Sequence, residues 1–154
     1  MLRGYLGLIA AAALAGVLVA CGGGASPPDL TPVRDALPLY PGASVIQENA
    51  APTGIEGASL KQFVYDRLYL ARGLVTQEDI ANGMKAELEK AGWQQEEPTR
   101  SKSKDMRTYC ELVWVQCESF VKEGVRVVVS VPLPLNFNPA APQGANYHTH
   151  LEKA

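Results

Sequence analysis

Three cysteines and two histidines are the residues of this 154-residue chain best equipped for chemistry, and their spacing limits what that chemistry is. Cys110 and Cys117 lie too far apart for a Cys-x-x-Cys redox motif. His148 and His150 form a His-x-His pair, which can donate two metal ligands. Their surroundings (Asn136, Asn138, Pro139, Pro142, Gly144) supply no cysteine and no patterned carboxylates to complete a site, so no metal is expected. Asp66 and Glu118 interrupt apolar segments, and alternation places both on solvent faces. The expected folded region holds serines but no histidine, which leaves a Ser-His-Asp mechanism without its base. There is no glycine-rich phosphate loop either. No catalytic residue and no cofactor are expected.

Cys21 stands apart from the other two cysteines. A single basic residue, Arg3, precedes an uncharged run from Tyr5 to Ala20 that ends in small residues, the tripartite layout of an export signal. The run is shorter than the ~20 residues a helix needs to cross a hydrocarbon core. Gly7 and Gly16 weaken it further. Leu18-Val19-Ala20-Cys21, followed by Gly22-Gly23-Gly24, resembles the lipobox of bacterial lipoproteins. That resemblance implies that Cys21 takes a diacylglycerol and becomes the first residue of the mature chain. Two or three acyl chains, at ~0.8 kcal/mol per buried methylene, then anchor the domain on the extracytoplasmic side of a cell membrane or outer membrane. Gly22 stands where an inner-membrane retention aspartate would stand, which favours the outer membrane in a cell that has two.

An exported domain sits where Cys110 and Cys117 are permitted to pair. If both belonged to one uninterrupted strand they would be ~23 Å apart and face opposite ways, against a bridging limit of ~7 Å. A bond therefore requires the chain near Cys110 to fold back before the strand begins. Two free thiols are the alternative.

The elements that must position these residues come in one domain of roughly 100 residues. Residues 1–20 read as signal peptide, 21–36 as a Gly- and Pro-rich flexible tether disordered to about Thr31, 37–135 as the folded domain and 136–154 as a polar, disordered tail. The whole chain has 14 Lys and Arg against 16 Asp and Glu. This balance is too weak to select nucleic acid or an anionic lipid surface. Arg100, Lys102, Lys104 and Arg107 form a basic cluster without interleaved aromatics, which reads as a solvated loop.

A helix is expected from Gln77 to Ala91, with Thr76 as its cap, Asp79 completing a short-armed capping box, Gly92 as its left-handed stop, and Ile80, Met84, Leu88 and Ala91 along its buried face. Period-two segments predict a hairpin. Leu112 to Val121 places Val113, Val115, Cys117 and Val121 on one side, and after the Lys122-Glu123-Gly124 turn the alternate valines Val125 to Val131 repeat the pattern. Ala43–Gln47, Leu60–Arg72 and Trp93–Glu97 complete the expected strands, the last at an edge. The predicted class is α+β, with one helix packed on a mainly antiparallel sheet in the order β-β-α-β-β-β.

Leu39-Tyr40-Pro41-Gly42-Ala43, Ala91-Gly92-Trp93 and Lys122-Glu123-Gly124-Val125 together resemble a group of small uncharacterised bacterial lipoproteins and secreted domains, in which a YPGA turn opens the fold and a GW pair ends the helix. These are turn and packing motifs, so the resemblance implies a fold and carries no catalytic residue. Tyr65, Tyr69 and Trp114 fall on the sheet face opposite the helix and form the expected interaction face; coverage of that face by loops and tail is the alternative. The expected function is a non-enzymatic binding module on a lipid tether, with an envelope protein or small ligand as partner. The alternatives are an envelope hydrolase or metal-dependent enzyme using His148 and His150, or a purely structural lipoprotein. Deletion of residues 136–154 is expected to spare a binder and abolish the enzyme.

Overall fold

The computed structural model describes residues 29–52, 54–55, 60–132 and 144–154. In chain order the elements are α1 (Thr31–Asp35), β1 (Ala43–Glu48), a 3-10 turn at Leu60–Phe63, β2 (Arg67–Arg72), α2 (Gln77–Lys90), β3 (Gln94–Glu96), a second 3-10 turn at Pro98–Arg100, α3 (Lys104–Cys110), β4 (Val115–Lys122), β5 (Val125–Pro132) and β6 (Gly144–Lys153). The strands form one six-stranded antiparallel sheet in the spatial order β1-β2-β6-β5-β4-β3. The protein is α+β. Its order departs from β-β-α-β-β-β by a sixth strand and two short helices.

Helix α2 is closed at both ends by its own sequence. The Thr76 hydroxyl accepts from the Asp79 amide at 3.0 Å, and the Thr76 amide donates to the Asp79 carboxylate at 2.8 Å, a reciprocal capping box. At the far end the Gly92 amide donates to the Glu89 carbonyl and the Trp93 amide to the Leu88 carbonyl. Gly92 adopts φ +86°, the left-handed turn that this double closure needs. The apolar face so fixed buries Ile80, Ala81, Met84 and Leu88 against Phe120 of β4, alternate valines of β5, and Tyr147 and Leu151 of β6. Tyr69 of β2 stacks on Tyr147 with ring centroids 4.6 Å apart, and the Tyr147 hydroxyl accepts from the Tyr40 amide at 3.1 Å.

Residues 144–153 are not a tail. They form β6, which lies between β2 and β5 in the middle of the sheet. The reason is a period of two: Ala145, Tyr147 and Leu151 enter the α2 core, while His148, His150 and Glu152 point the other way. Residues 133–143 lie outside the described residues.

The ordered domain also starts before residue 37. Leu30 and Leu37 flank α1 and are buried in the α2 core, with Val33 packed against it. Arg67 of β2 holds this corner through Asp35 at 2.6 Å, Glu48 at 2.7 Å and the Arg34 carbonyl at 3.3 Å. The segment 60–72 is not one strand, because buried Phe63 belongs to a 3-10 turn and pairing with β1 starts at Arg67.

On the face away from α2, helix α3 forms a second layer. Met106 and Tyr109 pack on Cys117 of β4 and Val128 of β5. The strand after it begins at Val115, not Leu112, and its phase is opposite to the expected one. Phe120 pairs with Val127 on the α2 side, while Cys117 pairs with Ser130 on the α3 side. Val113 lies outside the strand, fully exposed.

Candidate functional site

Alternation along β6 carries His148, His150 and Glu152 onto the α3 side of the sheet, and pairing with β5 sets Ser130 opposite His148, Val128 opposite His150 and Arg126 opposite Glu152. Asp66, held between the 3-10 turn and β2, reaches the same place. Its amide donates to the Phe63 carbonyl, and its carbonyl accepts from the Asn49 amide. Asp66, Ser130 and His148 are at most 1% exposed, and His150 is 4% exposed.

The contacts run as a chain across the sheet. Ser130 Oγ lies 3.5 Å from His148 Nδ1, and His148 Nε2 lies 3.0 Å from the Ala50 carbonyl oxygen. A carbonyl only accepts, so Nε2 carries the hydrogen and Nδ1 is left to receive the Ser130 hydroxyl. Asp66 Oδ2 is 3.5 Å from His148 Nε2 without a hydrogen bond, while Asp66 Oδ1 accepts from His150 Nδ1 at 2.8 Å. His150 Nε2 lies 3.5 Å from Glu152 Oε2, close enough for charge attraction and too far for a well-made hydrogen bond. Glu152 accepts from Arg126 at 2.9 Å, and Arg126 also donates to Glu96 of β3 at 2.9 Å. Glu152 further accepts from the Lys102 and Ser103 amides and from the Ser101 hydroxyl, at the start of α3.

Electrostatics follows from this arrangement. Burial pulls the His150 imidazole down, but the carboxylates of Asp66 and Glu152 outweigh it and raise its pKa to about 9. Burial pushes Glu152 up, yet His150, Arg126 and the Lys102 amide bring it down to about 2. The arrangement therefore favours the charged form of His150 across the neutral range, with Asp66 at one ring nitrogen and Glu152 at the other.

Ser130, His148 and Asp66 have the residue types of a nucleophile, base and acid. None of them reaches solvent, and no acyl donor can approach Ser130 Oγ without opening the core. Among the described residues no group of three or more His, Cys, Asp and Glu side chains is arranged to hold a metal ion. What the cluster does is tie four strands to one another and to the layer above them.

The sequence-predicted residues do not converge here. Cys21 lies outside the described residues. Cys110 and Cys117 are joined by a disulfide, their Cα atoms 5.6 Å apart, because α3 turns the chain back before β4 starts. Tyr65, Tyr69 and Trp114 do not share a free face. Tyr69 is fully buried under α2, Tyr65 sits half-buried at the margin of the same core, and half-buried Trp114 meets Tyr109 edge-on at 6.2 Å on the α3 side. The expected interaction face is thus divided between the two layers, since register with Tyr147 turns Tyr69 inward and α3 roofs the other face. Asp66 is interior and not solvent-facing. The folded region does contain two histidines. The signal for them was the alternation of His148, His150 and Glu152, a one-face strand pattern behind a proline-rich stretch.

No protein-family model, no curated protein and no solved structure matches the chain.

Proposed function

We propose that this chain is a lipid-anchored envelope lipoprotein whose domain works by non-covalent binding on the extracytoplasmic side of a membrane. The lipobox-like run ending in Cys21, directly upstream of a domain that carries a disulfide, is the observation that supports the reading best. With Cys110 and Cys117 paired, Cys21 is the one cysteine left for acylation. The side chains most capable of catalysis are enclosed in the core, where they hold strands together.

The contact surface passes from the covered sheet face to the β1 edge. There Val45 and Ile46 are exposed, at 38% and 49%, and among the described residues only one side of the strand is paired. The partner in this reading is an envelope protein that lies along β1, with a small ligand as the alternative. Two measurements test it. Replacement of Cys21 by serine abolishes fatty-acid labelling and detergent partitioning; an unchanged partition ends the lipid reading. A photo-crosslinking residue at position 46 captures a discrete envelope protein in intact cells, and one at exposed Glu78 does not. Equal capture from both positions, or from neither, ends the β1 reading.

A further inference from the structure

We propose that α3 is a latched flap: the Cys110–Cys117 disulfide hinges its C-terminal end to β4, and the Asp66–His150–Glu152 cluster latches its N-terminal end for as long as His150 carries its extra proton. The hinge is covalent, because Cys110 is the last residue of α3 and Cys117 lies within β4. The latch is electrostatic. Glu152 Oε1 accepts from the Lys102 amide at 2.7 Å, and Glu152 Oε2 accepts from the Ser103 amide at 3.2 Å and the Ser101 hydroxyl at 3.1 Å, so one carboxylate grips the entry to α3 at three residues. Lys102 adds a contact from its ammonium to the Ala154 carbonyl at 2.9 Å.

His150 decides whether that carboxylate stays in place. Its two nitrogens face carboxylates from different parts of the chain, Asp66 ahead of β2 and Glu152 on β6 itself. A neutral imidazole keeps a lone pair on one nitrogen and would turn it toward a carboxylate, inside a core where His150 is 4% exposed and Asp66 fully buried. The other charged groups around it do not make up the difference. Arg126 is already shared between Glu152 and Glu96, His148 is committed to Ala50 and Ser130, and the Lys102 ammonium is on Ala154. Loss of the proton leaves Asp66 and Glu152 as excess buried negative charge. Glu152 then moves toward solvent and releases Ser101 to Ser103. Because the disulfide holds the other end, α3 swings and does not detach. The surface it uncovers is apolar: Met106 and Tyr109 on the flap, Val128 and Trp114 beneath and beside it. The raised pKa of His150 places the opening in the alkaline range, so the flap is closed at neutral pH.

Two measurements on the full-length chain in detergent test this. Nitrogen-15 NMR of the wild-type protein finds both His150 nitrogens protonated at about pH 7 and one deprotonated above about pH 9. Amide exchange, corrected for its intrinsic dependence on pH, shows residues 104–110 losing protection over the same step while residues 77–90 keep theirs. In Glu152→Gln at about pH 7 the α3 amides exchange at least about tenfold faster with α2 unchanged. A neutral His150 at about pH 7, or α2 and α3 losing protection together, overturns the flap. The wild-type titration decides the matter even where Glu152→Gln does not fold.

Discussion

Asp66 and His150 meet at 2.8 Å across 84 residues of chain, in a place from which solvent is almost absent. The contact joins the start of β2 to the strand beside it and supplies the negative charge that a buried imidazolium requires. Breaking such a pair by removing one charge costs far more than the pair gains over an apolar equivalent, because the remaining charge is left unpaired.

Asp66→Asn keeps the shape of the side chain and removes its charge. Urea denaturation is expected to show a loss on the order of 3–5 kcal/mol. The His150 titration is also expected to move down toward the ordinary histidine range. A variant as stable as wild type, with His150 still titrating near 9, would show that the carboxylate is not what holds the proton.

Stability is expected to fall on the alkaline side. The folded-state pKa of His150 is raised from 6.5 to about 9, so its contribution is complete below the unfolded value and is lost as pH rises through the folded one. The span of that shift corresponds to roughly 3 kcal/mol. Glu152 acts in the opposite sense. Its pKa is depressed from 4.5 to about 2, so its contribution is present above the unfolded value and disappears as pH falls toward the folded one. Thermal melts from about pH 2 to about pH 10 check both arms. In His150→Gln the alkaline arm flattens and the acid arm shrinks, kept in part by Arg126 and the Lys102 amide on Glu152.

Deletion of residues 144–154 is expected to abolish cooperative unfolding, since it removes the strand between β2 and β5 together with Tyr147, His148 and His150. Circular dichroism during heating reads this directly. A sharp transition in the truncated chain would contradict the position of β6.

Gly144 opens β6 where a Cβ would lie 2.9 Å from the Ala71 carbonyl oxygen and 2.6 Å from a Leu70 methyl. The methyl can move, but the carbonyl belongs to a paired strand. Gly144→Ala is therefore expected to cost about 1–3 kcal/mol by overpacking, measured by chemical denaturation.

Replacing Cys110 and Cys117 together by alanine is expected to cost about 2–3 kcal/mol, the loop-closure contribution of a short bridge. The helix α2 circular-dichroism signal is expected to survive, because the disulfide anchors the outer layer and not the main core.

Legibility in the sequence followed how local each determinant is. Helix α2 was readable because Thr76, Asp79 and Gly92 specify its ends within a few residues of each other. The β4–β5 hairpin was readable from valine density, but the phase of β4 was not. Phe120, not the alternate valines, faces α2, and that choice depends on α3, a helix of one face and seven residues hidden in a polar stretch. The buried cluster was missed for two reasons. Asn136, Asn138, Pro139 and Pro142 give the C-terminal region the composition of a tail, and the meaning of His148 and His150 depends on Asp66, a partner that only the folded sheet brings near. Tyr69 shows the same limit, since nothing beside it in sequence foretells Tyr147 as its stacking neighbour.

The placement of β6 has a consequence for biogenesis. Every other strand precedes it, yet it is the piece that joins the β1–β2 half of the sheet to the β5–β4–β3 half. During synthesis the two halves stay unconnected until β6 has emerged. Closure of the sheet is thereby deferred by topology alone until its last strand is available to pair with β2 and β5.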